Sequence, residues 1–279
     1  MGQLDVTSPA NPRVKWLASL RRRRVRDDER ATVVEGFAEL ELALQCGVRP
    51  HLVVVCPDLA GPDWATLIEP VRPLGSEVLT MSRPAFAKAS YRESPDGWLA
   101  VVADPAGGLD RLDTVLERSA TDGRAPLILV CEAVEKPGNL GAMLRTAEAA
   151  GVDAVVAASP VADWGNPNVV RASKGTVFAV PIASAPAMKV AGWLREHGLC
   201  VVVATPEADV VVSDLDLTGP TAVVVGAEHA GLSSLWYDAD VVGPQVVAAA
   251  LPMAGQVNSL NVATAAAIVL YEAVRQRRP

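Results

Sequence analysis

The feature that most constrains this chain is a rhythm in which short valine- and alanine-rich runs recur at intervals filled by segments of helical length. In the first half, TVVEG, HLVVVC, EVLTM and WLAVVA alternate with patterns such as AELELALQCG and PDWATLIEPVRPLG. In the second, LILVCE, DAVVAAS, LCVVVATP and TAVVVGAE alternate with NLGAMLRTAEAAG and APAMKVAGWLREHG. A strand that is apolar on both sides needs cover on both faces, and helix-length connections suit parallel strands. The pattern predicts an α/β fold with a parallel sheet in each half. Residues 104–124, DPAGGLDRLDTVLERSATDGR, replace the rhythm with proline, glycine and charge. They predict a boundary, with an amino-terminal domain at 1–105, a linker at 106–123 and a larger domain at 124–279.

Half the residues are hydrophobic and a fifth are charged, the balance of a protein with a substantial core. No apolar run reaches the ~18 residues of a membrane helix, and the start, MGQLDVTSPANPRVKW, lacks an apolar signal core, so a cytoplasmic protein without a membrane partner is expected. Cys46, Cys56, Cys131 and Cys200 are widely spaced, and with three histidines they form no ligand pattern; they are expected as core thiols, with no metal. Net charge is −7, yet residues 11–30 hold eight basic and three acidic side chains. Clustered arginine, Arg21, Arg22, Arg23 and Arg24 above all, suits a phosphate backbone, although a solvated helix face is an equal reading of that segment alone. Trp16 is an optional stacking residue and more often a core one.

Because open α/β sheets bind ligands beyond the carboxyl ends of their strands, polar interruptions there are the places to seek chemistry. After LILVCE, the turn at Pro137 and Gly138 puts Asn139 in position to cap a helix, and Arg145 follows six residues later. After TAVVV, Gly226 allows a sharp turn and a close backbone approach, with Glu228 two residues on. The third interruption is LPMAGQVNSLN, residues 251–261, ahead of an alanine-rich helical pattern. Leu251 and Pro252 are expected to end a strand and Met253 to offer apolar contact. Ser259 or Asn261 can cap the helix, leaving further amide and hydroxyl groups at the same edge. Such a loop could hold an adenine in a neutral slot. GxGxxG and Walker sequences are both absent.

NxGxxxRTA, VVGAEHAGLS and LPMAGQVNSLNVATA, in this order and each following a strand, resemble the three motifs of the SpoU (TrmH-like) RNA ribose 2′-O-methyltransferases of the SPOUT superfamily. The resemblance covers roughly the last 155 residues. The amino-terminal TSPANPRVKWLASLRRRRVRDDERATVVEGFAEL is similar to the RNA-binding domain, with an L7Ae-like α/β fold, that many members carry. The layout resembles large-subunit ribosomal RNA methyltransferases, including those that confer antibiotic resistance on actinomycetes.

The resemblance implies a deep carboxyl-terminal trefoil knot, against the general rule that chains do not thread loops. It also implies a homodimer, S-adenosylmethionine as cofactor, and methylation of a ribose 2′-hydroxyl, in 23S ribosomal RNA before transfer RNA. By motif, Thr205, Gly226, Leu251, Met253 and Leu260 would meet the cofactor. Asn139, Arg145, Glu228, Ser259 and Asn261 would form the catalytic region, Asn139 orienting Arg145. NVVRASKGTVFAVP, similar to the family's run after its second strand, makes Arg171 and Ser173 further RNA contacts. An RNA-binding metabolite sensor without catalysis and a base methyltransferase of the same superfamily remain alternatives; a nicotinamide dehydrogenase is disfavoured by the missing glycine fingerprint.

Overall fold

The computed structural model describes residues 4–227 and 231–278. Its strands are β1 (Ala31–Glu35), β2 (Leu52–Val55), β3 (Glu77–Thr80), β4 (Trp98–Ala103), β5 (Leu127–Glu132), β6 (Ala154–Ala158), β7 (Ile182–Ala185), β8 (Cys200–Ala204), β9 (Thr221–Val225) and β10 (Val246–Ala249). Helices α1 (Pro12–Ser19), α2 (Arg23–Glu29), α3 (Phe37–Gln45), α4 (Pro57–Ala60), α5 (Trp64–Leu67) and α6 (Arg83–Ala89) accompany the first four strands. They are followed by α7 (Asp110–Thr121), α8 (Pro137–Ala150), α9 (Pro167–Ala172), α10 (Ala187–Glu196), α11 (Ala239–Val242) and α12 (Val262–Arg277). Among the described residues, no helix is long and apolar enough to cross a membrane.

The chain divides into two compact units, one of residues 1–105 with 164–179 and one of 106–163 with 180–279. The division differs from a single boundary at 106–123 in two ways. That segment contains α7, whose Leu112 and Leu116 lie in the core of the second unit. Their i, i+4 spacing outweighs the surrounding charge. Residues 164–179, in contrast, join the first unit: α9 packs on β1, and the Thr32 hydroxyl donates to the Gly165 carbonyl.

The first unit holds a four-stranded sheet in the order β1-β4-β2-β3. Only β2 and β3 are parallel; β4 runs antiparallel to β1 and β2, in registers that include Val33 opposite Val101 and Val53 opposite Ala100. The expectation of a parallel sheet fails here because an all-apolar strand reports burial on both faces and is silent about direction. The helix expected over PDWATLIEPVRPLG is reduced to the single turn α5 and a 3-10 turn at Arg72–Leu74. Pro70 and Pro73 deny it backbone donors and crowd the preceding turn.

The second unit is a six-stranded, wholly parallel sheet in the order β10-β8-β9-β5-β6-β7. Its edge strand β7, with the sequence IASA, carries a single β-branched residue and so did not stand out in the sequence pattern. Adjacent strands β5 and β9 send their outgoing connections in opposite directions, β5 towards β6 and β9 towards β10 beyond β8. A reversal of that kind opens a crevice at the carboxyl edge. Of the four cysteines, Cys56 and Cys131 are buried, and burial pushes the Cys131 thiol up to about 12. Cys46 departs from the expected core position: it follows the last turn of α3 and is exposed.

The last helix, α12, packs on α8 and reaches back with Arg277. Its guanidinium donates to the carbonyls of Leu217 (2.8 Å), Gly219 (2.6 Å) and Ala125 (2.7 Å). Beside it, Gln276 joins Leu215 and Leu217 through backbone bonds of 3.0 and 2.8 Å. One cation thus satisfies acceptors in two separate segments, 125–126 and 217–219. Replacing it with an apolar chain strands those acceptors, and Arg277→Met is expected to lower unfolding free energy by about 2–4 kcal/mol, read by urea denaturation.

Candidate functional site

A cavity of about 730 Å³ lies where β8, β9 and β10 end. That is ample for a nucleoside-sized ligand. β8 continues into Thr205, Pro206 and Glu207, and the Thr205 amide donates to the Ala249 carbonyl at 3.0 Å, prolonging the pairing with β10. β9 enters the cavity through Val225, Gly226 and Ala227. β10 ends at Ala249, ahead of the end expected at Leu251 and Pro252, so Leu251 and Met253 belong to the loop that walls the cavity. Asn258, Ser259, Leu260 and Asn261 complete that wall, and Val262 and Ala265 of α12 close it.

Gly226 is required by a close approach and not by an unusual dihedral angle. A Cβ there would fall against the Gly231 carbonyl, 2.5 Å from its carbon and 2.8 Å from Leu232 Cγ. Any larger residue must push the 231–232 backbone away from β9. The same segment is held from the other side by Glu132 at the end of β5, which is buried and accepts from the Ser233 amide (2.8 Å) and hydroxyl (2.7 Å).

Asn139 is not the cap of α8. Lys136 occupies that position without a side-chain capping bond, and Asn139 is the third helical residue. Its Oδ1 accepts from Asn261 Nδ2 at 3.2 Å, while its own Nδ2 is buried without a partner. Its hydrogen bond therefore runs to the cavity wall, and the expectation that it orients Arg145 is not met. Six residues apart on a helix, the two side chains point in directions separated by roughly 120°. Arg145 is exposed, and its side chain makes no hydrogen bond or ion pair among the described residues.

Asn261 does cap α12, accepting from the Ala263 amide at 3.0 Å. One amide group therefore serves both as helix cap and as the tie to α8. Ser259 is exposed on the cavity wall. Glu228 lies outside the described residues. Thr205, Gly226, Leu251, Met253 and Leu260 all line the cavity, together with Ser259 and Asn261; Asn139 adjoins it through Asn261, and Arg145 lies further along α8.

The expected neutrality of the slot is corrected by Glu207, the one carboxylate among the described lining residues, which accepts from the Thr205 hydroxyl. Sequence reasoning passed over it inside ATPEAD, although its place directly after a strand's carboxyl end was the available signal. Tyr237 also lines the cavity, from a 3-10 turn that no local pattern marked.

In the first unit the arginine run divides by role. Arg21 donates to the carbonyls of Ser90 and Lys88, lies 5.1 Å from the Tyr91 ring centroid, and receives the Tyr91 hydroxyl on its own carbonyl at 3.0 Å. Arg26, 2% exposed, donates to the Leu20 and Arg21 carbonyls. Arg22, Arg23 and Arg24 are exposed, with Arg23 and Arg24 at 3.8 and 4.0 Å from Asp27 and Asp28 one helical turn on. Such exposed pairs hold little energy, so water or phosphate can compete for these cations. Trp16 packs partly against the core and donates to Glu29 at 3.3 Å. Arg171 is exposed in the last turn of α9, held by Asn168 at 3.1 Å. Ser173 is 0% exposed, and its hydroxyl donates to the Val170 carbonyl at 2.9 Å, so its expected role towards RNA is overturned by burial.

The chain is similar to known proteins along most of its length. Residues 126–271 match the SpoU rRNA Methylase family, and residues 11–100 match the MRM3-like substrate binding domain. The 23S rRNA (uridine(2479)-2′-O)-methyltransferase of Streptomyces viridochromogenes is 32% identical over 94% of this chain and 89% of its own. The AdoMet-bound rRNA methyltransferase of Sinorhizobium meliloti superposes with a TM-score of 0.83 at 28% identity, covering 98% of each chain. The SpoU methyltransferase AviRb of S. viridochromogenes in complex with AdoMet gives 0.82 at 29% identity, over 96% of this chain and 98% of that one.

The double duty of Asn261 can be separated by substitution. Asn261→Asp keeps the cap acceptor near a helix amino terminus and is expected to leave stability within about 0.5 kcal/mol, whereas Asn261→Ala is expected to lose about 1 kcal/mol. Thermal and urea unfolding of the two variants checks the difference.

Proposed function

The chain belongs to the SpoU rRNA methylase family, and on that premise we propose that it methylates a ribose 2′-hydroxyl of 23S ribosomal RNA in the cytoplasm, with S-adenosylmethionine as methyl donor. The observation that carries this reading is the cavity: three parallel strands end around it, and its outer wall is tied by Asn261 to the helix that bears Arg145. The residues fit the donor. Gly226 leaves a cradle that a Cβ would fill, Leu251, Met253 and Leu232 offer apolar contact for a purine, and Asn258, Ser259 and Asn261 offer amide and hydroxyl groups for a zwitterionic tail. When bound, S-adenosylmethionine supplies a methyl group already activated by its sulfonium.

The chain's own task is to hold the ribose hydroxyl in line and to favour loss of its proton. Positioning of this kind is worth up to ~7–11 kcal/mol in well-oriented intramolecular systems. A guanidinium stays protonated in proteins, so Arg145 is assigned here as a fixed cation and not as a base. Exposed and without a partner among the described residues, it is available to grip the phosphate beside the target ribose and to stabilise the developing alkoxide. The carboxylate of Glu228 is left with cofactor or loop positioning as its proposed role.

The same reading extends to architecture. The first unit is proposed as an L7Ae-like RNA-binding domain, supported by its mixed sheet and the match to a substrate binding domain. A trefoil knot in the last third is supported by the return of 251–261 to the ends of β8 and β9 and by Arg277 bonding to 217 and 219. A homodimer is supported by Ile268 and Tyr271, which leave α12 with 44% and 46% of their surface exposed.

Incubation with labelled S-adenosylmethionine and undermodified 23S RNA is expected to place label on ribose. Label in transfer RNA alone, on a base, or nowhere would replace the proposal. In that assay Arg145→Lys is expected to keep part of the turnover and Arg145→Ala to lose about 10²–10³-fold; near-wild-type turnover of both would remove Arg145 from the chemistry. The double change Arg23→Gln with Arg24→Gln is expected to weaken RNA binding and lower its salt slope by about one for each phosphate no longer neutralised, with cofactor affinity unchanged by calorimetry.

A further inference from the structure

We infer that Glu207 is the group that reads the ribose of the bound cofactor, accepting its 2′- and 3′-hydroxyls. This inference rests on the proposed S-adenosylmethionine site and adds to it a specificity-determining residue. Glu207 is the one carboxylate among the described residues that line the cavity. The Thr205 hydroxyl donates to its Oε2, and the Thr205 amide is itself fixed to the Ala249 carbonyl at 3.0 Å, so the carboxylate is held from β8 and β10 together. Oε1 accepts no hydrogen bond among the described residues. A carboxylate with one oxygen held and acceptor capacity to spare is matched to a pair of vicinal hydroxyls, the arrangement by which an acidic side chain reads ribose in dinucleotide sites.

The other parts of the cofactor find different partners. Purine faces suit the apolar wall, and the amino-acid tail suits the amide-rich loop that includes Asn258 and Ser259. The reacting end belongs near α8, because Asn139 and Arg145 both stand on that helix after β5. Glu207 follows β8, separated from β5 by β9. At ~4.8 Å per strand this is a lateral offset of about 10 Å, which puts Glu207 beside a non-reacting part of the ligand.

The test is calorimetry on the full chain with S-adenosylhomocysteine and with its 2′-deoxy and 3′-deoxy analogues, for wild type, Glu207→Ala and Glu207→Gln. Wild type is expected to bind the complete ligand about ten- to a hundredfold more tightly than either analogue, the range of a charge-assisted hydrogen bond. Glu207→Ala should lose a similar factor for the complete ligand and bind all three nearly alike, with Glu207→Gln between. If Glu207→Ala keeps the wild-type discrimination while all affinities fall together, the residue only shapes the loop and the inference is wrong. A wild type that binds all three equally also overturns it, and leaves the function standing. No binding of any of them by folded wild type removes the methyltransferase reading itself.

Discussion

The second unit depends on one close approach, that of the backbone at Gly226 to the backbone at Gly231. The chain leaving β9 at Gly226 passes so near Gly231 that there is no room for a Cβ. Glu132, buried at the end of the neighbouring strand, holds the nearby Ser233. With these contacts made, the ends of β8, β9 and β10 surround one cavity, and the segment 251–261 becomes its outer wall. The strand order supplies the location, since β5 and β9 send their connections opposite ways. Packing thus makes the site, and the polar residues decorate it.

Asn261 links this scaffold to α8. Its carbonyl oxygen caps α12 and its amide nitrogen donates to Asn139 on α8. A ligand in the cavity that touches Asn261 is therefore one hydrogen bond away from the first turn of α8. The first unit shows a different use of polar groups. Buried Glu35 accepts from the Ser90 hydroxyl and from the amides of Tyr91 and Arg92, and Arg21 closes on the Ser90 carbonyl. Part of a basic run that looks like an RNA footprint is consequently spent on holding the 90–92 loop, while Arg22, Arg23 and Arg24 keep their exposure.

Much of this architecture was legible because the strands of the second unit are continuous apolar runs bounded by polar residues, and the three motifs sit at strand ends. Six-strand parallel order and strand direction were less accessible. β7 is an edge strand of alanine and serine after one isoleucine, and β4 reads the same whichever way it runs. The capture of 164–179 by the first unit depends on tertiary contacts such as that of Thr32 with Gly165, which no local pattern announces. At the site, glycine and amide positions were legible as departures from periodicity. Glu207 was obscured by a reading that favoured a neutral slot, and Ser173 was misread because a hydroxyl that satisfies its own helix looks, in sequence, like one that faces solvent. Asn139 occupies a cap-like place after proline and glycine, but its bond runs across to another helix.

The central claim is that the methyl donor sits among the ends of β8, β9 and β10. Amide hydrogen exchange with and without S-adenosylmethionine tests it most directly. Slowed exchange concentrated in 204–207, 225–232 and 249–262 is the predicted result; protection confined to residues 1–105, or binding that protects none of these segments, would contradict it.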